Sequence, residues 1–112
     1  MRAVLLALAA ALSAAPAAAA DLSGPNTTNM GRNLFLERCG KCHLDGGTGT
    51  FMLGRRLGKD KALLEDRTDL NPGYVRRVVR HGVNSMPWFT PVELPDAELA
   101  AIVTYLTRPN RQ

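Results

Sequence analysis

A small all-α domain is the fold class this sequence predicts, and three observations predict it. Two stretches, near 72–81 and 96–106, repeat their apolar residues at helical spacing. Each is bracketed by helix punctuation: Asn71 and Pro72 open the first and Gly82 closes it, while Asp96 and Glu98 load the first turn of the second and Pro109 lies beyond its end. No run of alternating apolar and polar residues reaches convincing strand length.

The elements follow in order. Met1 and Arg2 are a short positive start, and "AVLLALAAALSAAPAAAA" then runs apolar and small to an A-x-A pattern before Asp21. That is the layout of a secretory signal peptide, 1–20, cleaved after about Ala20. A retained membrane anchor is the competing reading, but Leu and Val fill only the first half of the stretch. No other segment is apolar enough to span a bilayer, so no stable membrane span is expected after cleavage. Residues 21–28 read as a polar lead-in and 29–112 as the folded domain. The first helix is expected near 29–39, with Gly31, Leu34 and Phe35 on one side. "HLDGGTGT", 43–50, reads as loop by its glycines. A short helix is expected near 59–66 around Ala62, Leu63 and Leu64. The helix after Asn71 turns Tyr74, Val75, Val78 and Val79 to one face and Arg76, Arg77 and Arg80 to the other. Three prolines keep 83–95 out of regular helix. The last helix starts near Pro95, with Leu99, Ile102, Val103 and Leu106 in one stripe and Tyr105 at its edge.

Without Arg2 the chain carries 13 basic against 10 acidic residues, a mildly basic balance with no block of like charge. No basic stripe or nucleic-acid motif appears, so nucleic acid is not an expected partner. The domain is short enough to need a staple. Its two cysteines, Cys39 and Cys42, would close only a very small disulfide loop, which constrains the unfolded chain little.

Those cysteines stand in "CGKCH", 39–43, and three chemistries compete for it. Structural zinc needs four ligands. Cys39, Cys42 and His43 supply three at most, and His81 is the one other histidine. A redox dithiol wants a strand-to-helix junction, and no strand precedes Cys39. C-x-x-C-H is also the rule for c-type haem attachment. One helical turn sets two thiols near the spacing of the haem vinyl groups, and the next residue's imidazole then reaches the iron. The haem would be the staple. Its iron has a second axial position, and Met86 in "SMPW" is the candidate, since a thioether favours ferrous iron. Met52 and His81 are rivals. Met52 reads better as core beside Phe51 and Leu53, Met30 as packing, and His81 as a cation at a helix end.

With these residues placed, the chain resembles a class I monohaem c-type cytochrome over about 30–107. Gly31, Phe35 and Cys39 match the family's first-helix pattern, Ile102 and Tyr105 suit its contact with the last helix, and Met86–Pro87 matches its "MP" pair. The resemblance implies a small cytochrome c fold, three to five helices around one covalently attached haem. It also implies electron transfer, with no catalytic residue. One departure is clear: Thr50 stands where the family commonly has a Pro whose carbonyl accepts the proximal imidazole N–H. The stretch from Arg67 to Phe89 is similar to cytochrome subunits of exported dehydrogenases, including flavoprotein hydroxylases of alkylphenols.

The expected function is a periplasmic one-electron carrier with haem c held by Cys39 and Cys42 and ligated by His43 and Met86. Its expected partners are a flavin- or quinone-dependent dehydrogenase and a downstream cytochrome or oxidase of a respiratory chain. A haem enzyme or gas sensor with an open iron position is the alternative; a permanently fixed dehydrogenase subunit is another assembly of the same chemistry. Arg55 and Arg56 are candidates for the haem propionates, and Asn84 and Tyr74 for hydrogen bonds nearby. Lys41, Arg32, Arg38, Arg76, Arg77 and Arg80 are candidates for orienting a partner, against a plain solvated face. Trp88 and Phe89 would suit an interface if exposed and would otherwise be core.

Overall fold

The structure, a computed structural model, describes residues 24–109. The expected signal peptide, 1–20, lies outside the described residues, as do 21–23 and 110–112. Among the described residues there are five helices: α1 (Pro25–Arg38), α2 (Gly40–His43), α3 (Thr48–Leu57), α4 (Pro72–His81) and α5 (Asp96–Thr107). Two 3-10 turns, Lys59–Lys61 and Leu64–Asp66, link α3 to α4. No strand occurs among the described residues; an isolated bridge joins Val83 to Met86. The all-α fold class is as the sequence predicts.

The core forms where α1 crosses α5. Gly31 makes the close approach possible: a Cβ there would stand 2.1 Å from the Ala101 carbonyl oxygen and 2.9 Å from Tyr105 Cβ. Four residues on, one helical turn, Phe35 is fully buried. Its ring meets Tyr105 at a centroid distance of 5.9 Å and a tilt of 43°. Burial of such a side chain contributes about 1.5–3 kcal/mol, and the ring pair about 0.5–1.5 kcal/mol beyond it. Leu99, Ile102, Val103 and Leu106 are buried with them, and α4 adds Val75 and Val79. Tyr105, placed by the periodicity at the edge of its stripe, is buried as deeply as the rest. Its hydroxyl donates to the Glu65 carboxylate, which ties α5 to the Leu64–Asp66 turn.

α4 begins and ends as its residues require. The Asn71 side chain accepts from Tyr74 N–H at 3.1 Å, and Pro72 opens the helix. Gly82 ends it at φ 70°, ψ 171°, a conformation open essentially to glycine alone. The 83–95 loop is then pinned back onto the helices. Phe89 N–H donates to the Val79 carbonyl at 2.8 Å. Arg80 donates to the carbonyls of Phe89 and Leu94, at 3.0 and 2.9 Å, and pairs with Asp96 at 2.6 Å. Arg80 is therefore a clamp between α4, the loop and α5. It is removed from the arginines available to a partner; Arg76 and Arg77 remain exposed.

Several boundaries differ from expectation. α1 starts at Pro25, so 25–28 of the polar lead-in are helical. A proline at the first helical position loses no hydrogen bond, which explains the earlier start. Of the 43–50 stretch only 44–47 are loop: His43 ends α2, and α3 follows from Thr48, where the sequence predicts no helix. The helix expected over 59–66 is two separate 3-10 turns, parted at Leu63, whose ψ of 121° is extended. Phe51, Met52 and Met30 are exposed at 61%, 46% and 46%, so none is the core residue expected.

Candidate functional site

The site is built from the α1–α2 junction outward. Cys39 caps both helices: its N–H donates to Phe35 O at the end of α1, and its carbonyl accepts from Cys42 and His43 N–H at 3.1 and 3.0 Å. That closes one turn, which places Cys39 and Cys42 three residues apart on neighbouring positions of one face. Neither cysteine is in a disulfide. Burial, then the neighbouring Cys42 thiol, pushes the Cys39 thiol up to about 11, against the opposing pull of Arg38. A thiol held protonated is poorly suited to dithiol exchange, which proceeds through the thiolate. Among the described residues no three of His, Cys, Asp and Glu gather as a metal site, so structural zinc has no ligand set.

His43 lines two adjoining clefts of about 370 and 320 Å³. Cys42 opens on the first and Cys39 on the second; Met86, Leu53, Arg56 and Val83 line both. The structure thus brings together the four sequence-predicted site residues, including Met86 from 43 positions further along the chain. Burial lowers the His43 pKa below its ordinary value, which leaves the imidazole neutral and able to donate a lone pair near neutral pH. A neutral imidazole, a thioether and two free thiols on largely apolar walls fit a sizeable apolar prosthetic group with a metal at its centre.

Met86 is delivered by a turn. After Gly82, Val83 N–H donates to Met86 O at 3.2 Å and Met86 N–H to Val83 O at 2.9 Å. Asn84, first of the two residues between them, takes φ 50°, a conformation Asn tolerates better than most residues. A Cβ at Gly82 would stand 2.7 Å from Met86 O, so the loop lies directly on the helix end. Of the rivals for Met86, Met52 shares the first cleft with it and with His43 but does not line the second, whereas His81 is exposed and lines neither.

The remaining candidates divide. Arg56 lines both clefts and forms no ion pair among the described residues. Arg55 lines neither and lies 5.8 Å from the Phe51 ring centre. Asn84 lines the first cleft and Tyr74 the second. Arg67, on the second, is ion-paired with Asp69 at 2.8 Å. Hydrogen bonds from Arg67 and then Lys61 hold that exposed carboxyl well below the usual carboxylate range. Trp88 is 64% exposed while Phe89 packs against the core. Thr48 and Gly49 are wall residues that the sequence does not single out, and Leu53, expected as core, is a wall residue too. Their signal was available: 48, 49, 52, 53 and 56 recur at helical spacing.

Comparison with known proteins points the same way. A family model described as "Cytochrome C oxidase, cbb3-type, subunit III" matches residues 26–106. The "4-cresol dehydrogenase [hydroxylating] cytochrome c subunit" of Pseudomonas putida is 28% identical over 91 residues, covering 80% of this chain and 69% of that protein. No solved structure matches.

Proposed function

The chain belongs to the c-type cytochrome family of that description, and from that premise we propose that it is an exported one-electron carrier with haem c attached through Cys39 and Cys42 and ligated by His43 and Met86. Electron transfer and a haem c come with the family; the ligand set, the export and the partners are the proposal. The observation that carries it is that His43 and Met86, far apart in sequence, both wall the same two clefts. When bound, the haem supplies a one-electron iron couple.

The chain's own residues do the rest. Cys39 and Cys42 anchor, and a neutral His43 donates its lone pair. Met86, held by the Val83–Met86 turn, offers the soft ligand that favours the reduced iron. Leu53 and Val83 keep water from the ring, and Arg56 answers the propionate charge. The leader-like 1–20 supports a periplasmic location, where c-type attachment takes place. The relative's name supports a hydroxylating dehydrogenase as electron donor; a respiratory cytochrome or oxidase as acceptor is part of the proposal. Among the described residues no helix is long and apolar enough to cross a membrane.

The test is spectroscopic. A pyridine haemochrome of the two-thioether type is expected, together with near-infrared absorbance from an iron–methionine bond that disappears in Met86→Ala. Persistence of that band in the variant would show another ligand. Ready binding of carbon monoxide by the reduced native protein would favour the open-position enzyme or sensor instead.

A further inference from the structure

Thr50 is the buried polar residue of the described chain, at 8% exposure, and its hydroxyl donates to the Leu44 carbonyl at 2.8 Å. That carbonyl also accepts from Gly47 N–H at 3.0 Å. One oxygen therefore gathers both the end of the 44–47 loop and the first turn of α3. The loop it closes is laid on the C-x-x-C-H turn. A Cβ at Gly47 would stand 2.4 Å from Cys42 O, and one at Gly49 would stand 2.8 Å from Cys42 O and 3.0 and 3.1 Å from Cε1 and Nδ1 of His43. Nδ1 itself is buried with no hydrogen-bond partner among the described residues. The imidazole is backed by the Gly49 backbone and has no acceptor on that nitrogen.

From this we infer that Thr50 is a positioning residue for His43. Its hydroxyl, by holding Leu44 O, keeps Gly49 against the ring and sets the ring's orientation by contact, where a hydrogen bond to Nδ1 would otherwise do so. Thr50 acts through the loop and touches no reacting atom. A hydroxyl is needed for this: a β-branched apolar residue of the same shape fills the space but leaves Leu44 O with one donor fewer.

The inference rests on the haem reading above, and its test separates the two. The haem-loaded native protein, Thr50→Val and Thr50→Ser are compared by electron paramagnetic resonance of the oxidised form, by reduction potential and by thermal melting. Thr50→Val is expected to shift and broaden the g-values, which report the axial imidazole plane, and to shift the potential; Thr50→Ser is expected to restore both toward native. A Thr50→Val protein with native g-values and potential overturns the inference, whether or not its melting temperature falls. A native protein without the two-thioether haemochrome removes the haem reading itself, and this inference with it.

Discussion

At the scale of single residues, the site depends on where side chains are missing as much as on where they are present. Gly82 is the clearest case. Its φ of 70° and ψ of 171° strain any other residue by about 1–3 kcal/mol. An added Cβ would also meet the Met86 carbonyl, which is backbone and cannot swing aside. Gly82→Ala is therefore expected to displace the Val83–Met86 turn, weakening the near-infrared methionine band while the haemochrome stays. An unaltered band would mean that Met86 is placed by something other than this turn. Arg80 teaches the opposite lesson. Its charge reads as surface in the sequence, yet three acceptors hold it inside the loop clamp.

At the scale of elements, the α1–α5 crossing is the contact most open to measurement. Gly31→Ala would gain about 1 kcal/mol in helix propensity. Overpacking costs typically about 1–3 kcal/mol, and a collision with a backbone carbonyl belongs at the upper end. We expect Gly31→Ala to lose about 2 kcal/mol in urea unfolding of the haem-loaded protein; native stability in the variant would refute the close crossing. The two helices differ in how readable they were. α4 was legible almost to the residue, because Asn71, Pro72 and Gly82 act locally and their geometry needs no partner. α3 was not, because Gly47, Thr48, Gly49 and Thr50 have low helix propensity. Their conformation is decided by contact with α2 and by the Thr50–Leu44 bond, short-range contacts that helix propensity and apolar periodicity do not register. The helix expected over 59–66 failed for the converse reason. Ala62, Leu63 and Leu64 favour helix, but Leu63 is extended and the Tyr105–Glu65 bond fixes the second turn against α5.

At the scale of the whole molecule, the apolar core lies on one side, among α1, α4 and α5; the second cleft lies between it and α3, and the first between α2, α3 and the 83–87 loop. α3 packs on α2 and on the Lys59–Lys61 turn, and its Met52 and Leu53 face the first cleft. A haem there would be shared by both sides and would bind α3 to the core. Hydrogen exchange should therefore show α3 amides losing protection when haem attachment is prevented by Cys39→Ser with Cys42→Ser, while amides of α5 keep more of theirs. Equal loss across α3 and α5 would show that α3 is not the dependent part.

What the sequence by itself determined is the local chemistry. Cys39, Cys42 and His43 fall on one helical turn whatever surrounds them, and Met86 stands in a loop that its prolines keep from regular helix. The helix ends at Asn71 and Gly82 follow from backbone preferences alone. Only the tertiary structure decided which distant residues meet. It set Met86 on the same clefts as the cysteine turn, chose Arg56 over Arg55 for the cleft wall, and withdrew Arg80 into a clamp. The physical reason is the same in each case. Capping and turn chemistry act within a few residues, whereas burial and close packing depend on neighbours that the chain brings together only when it folds.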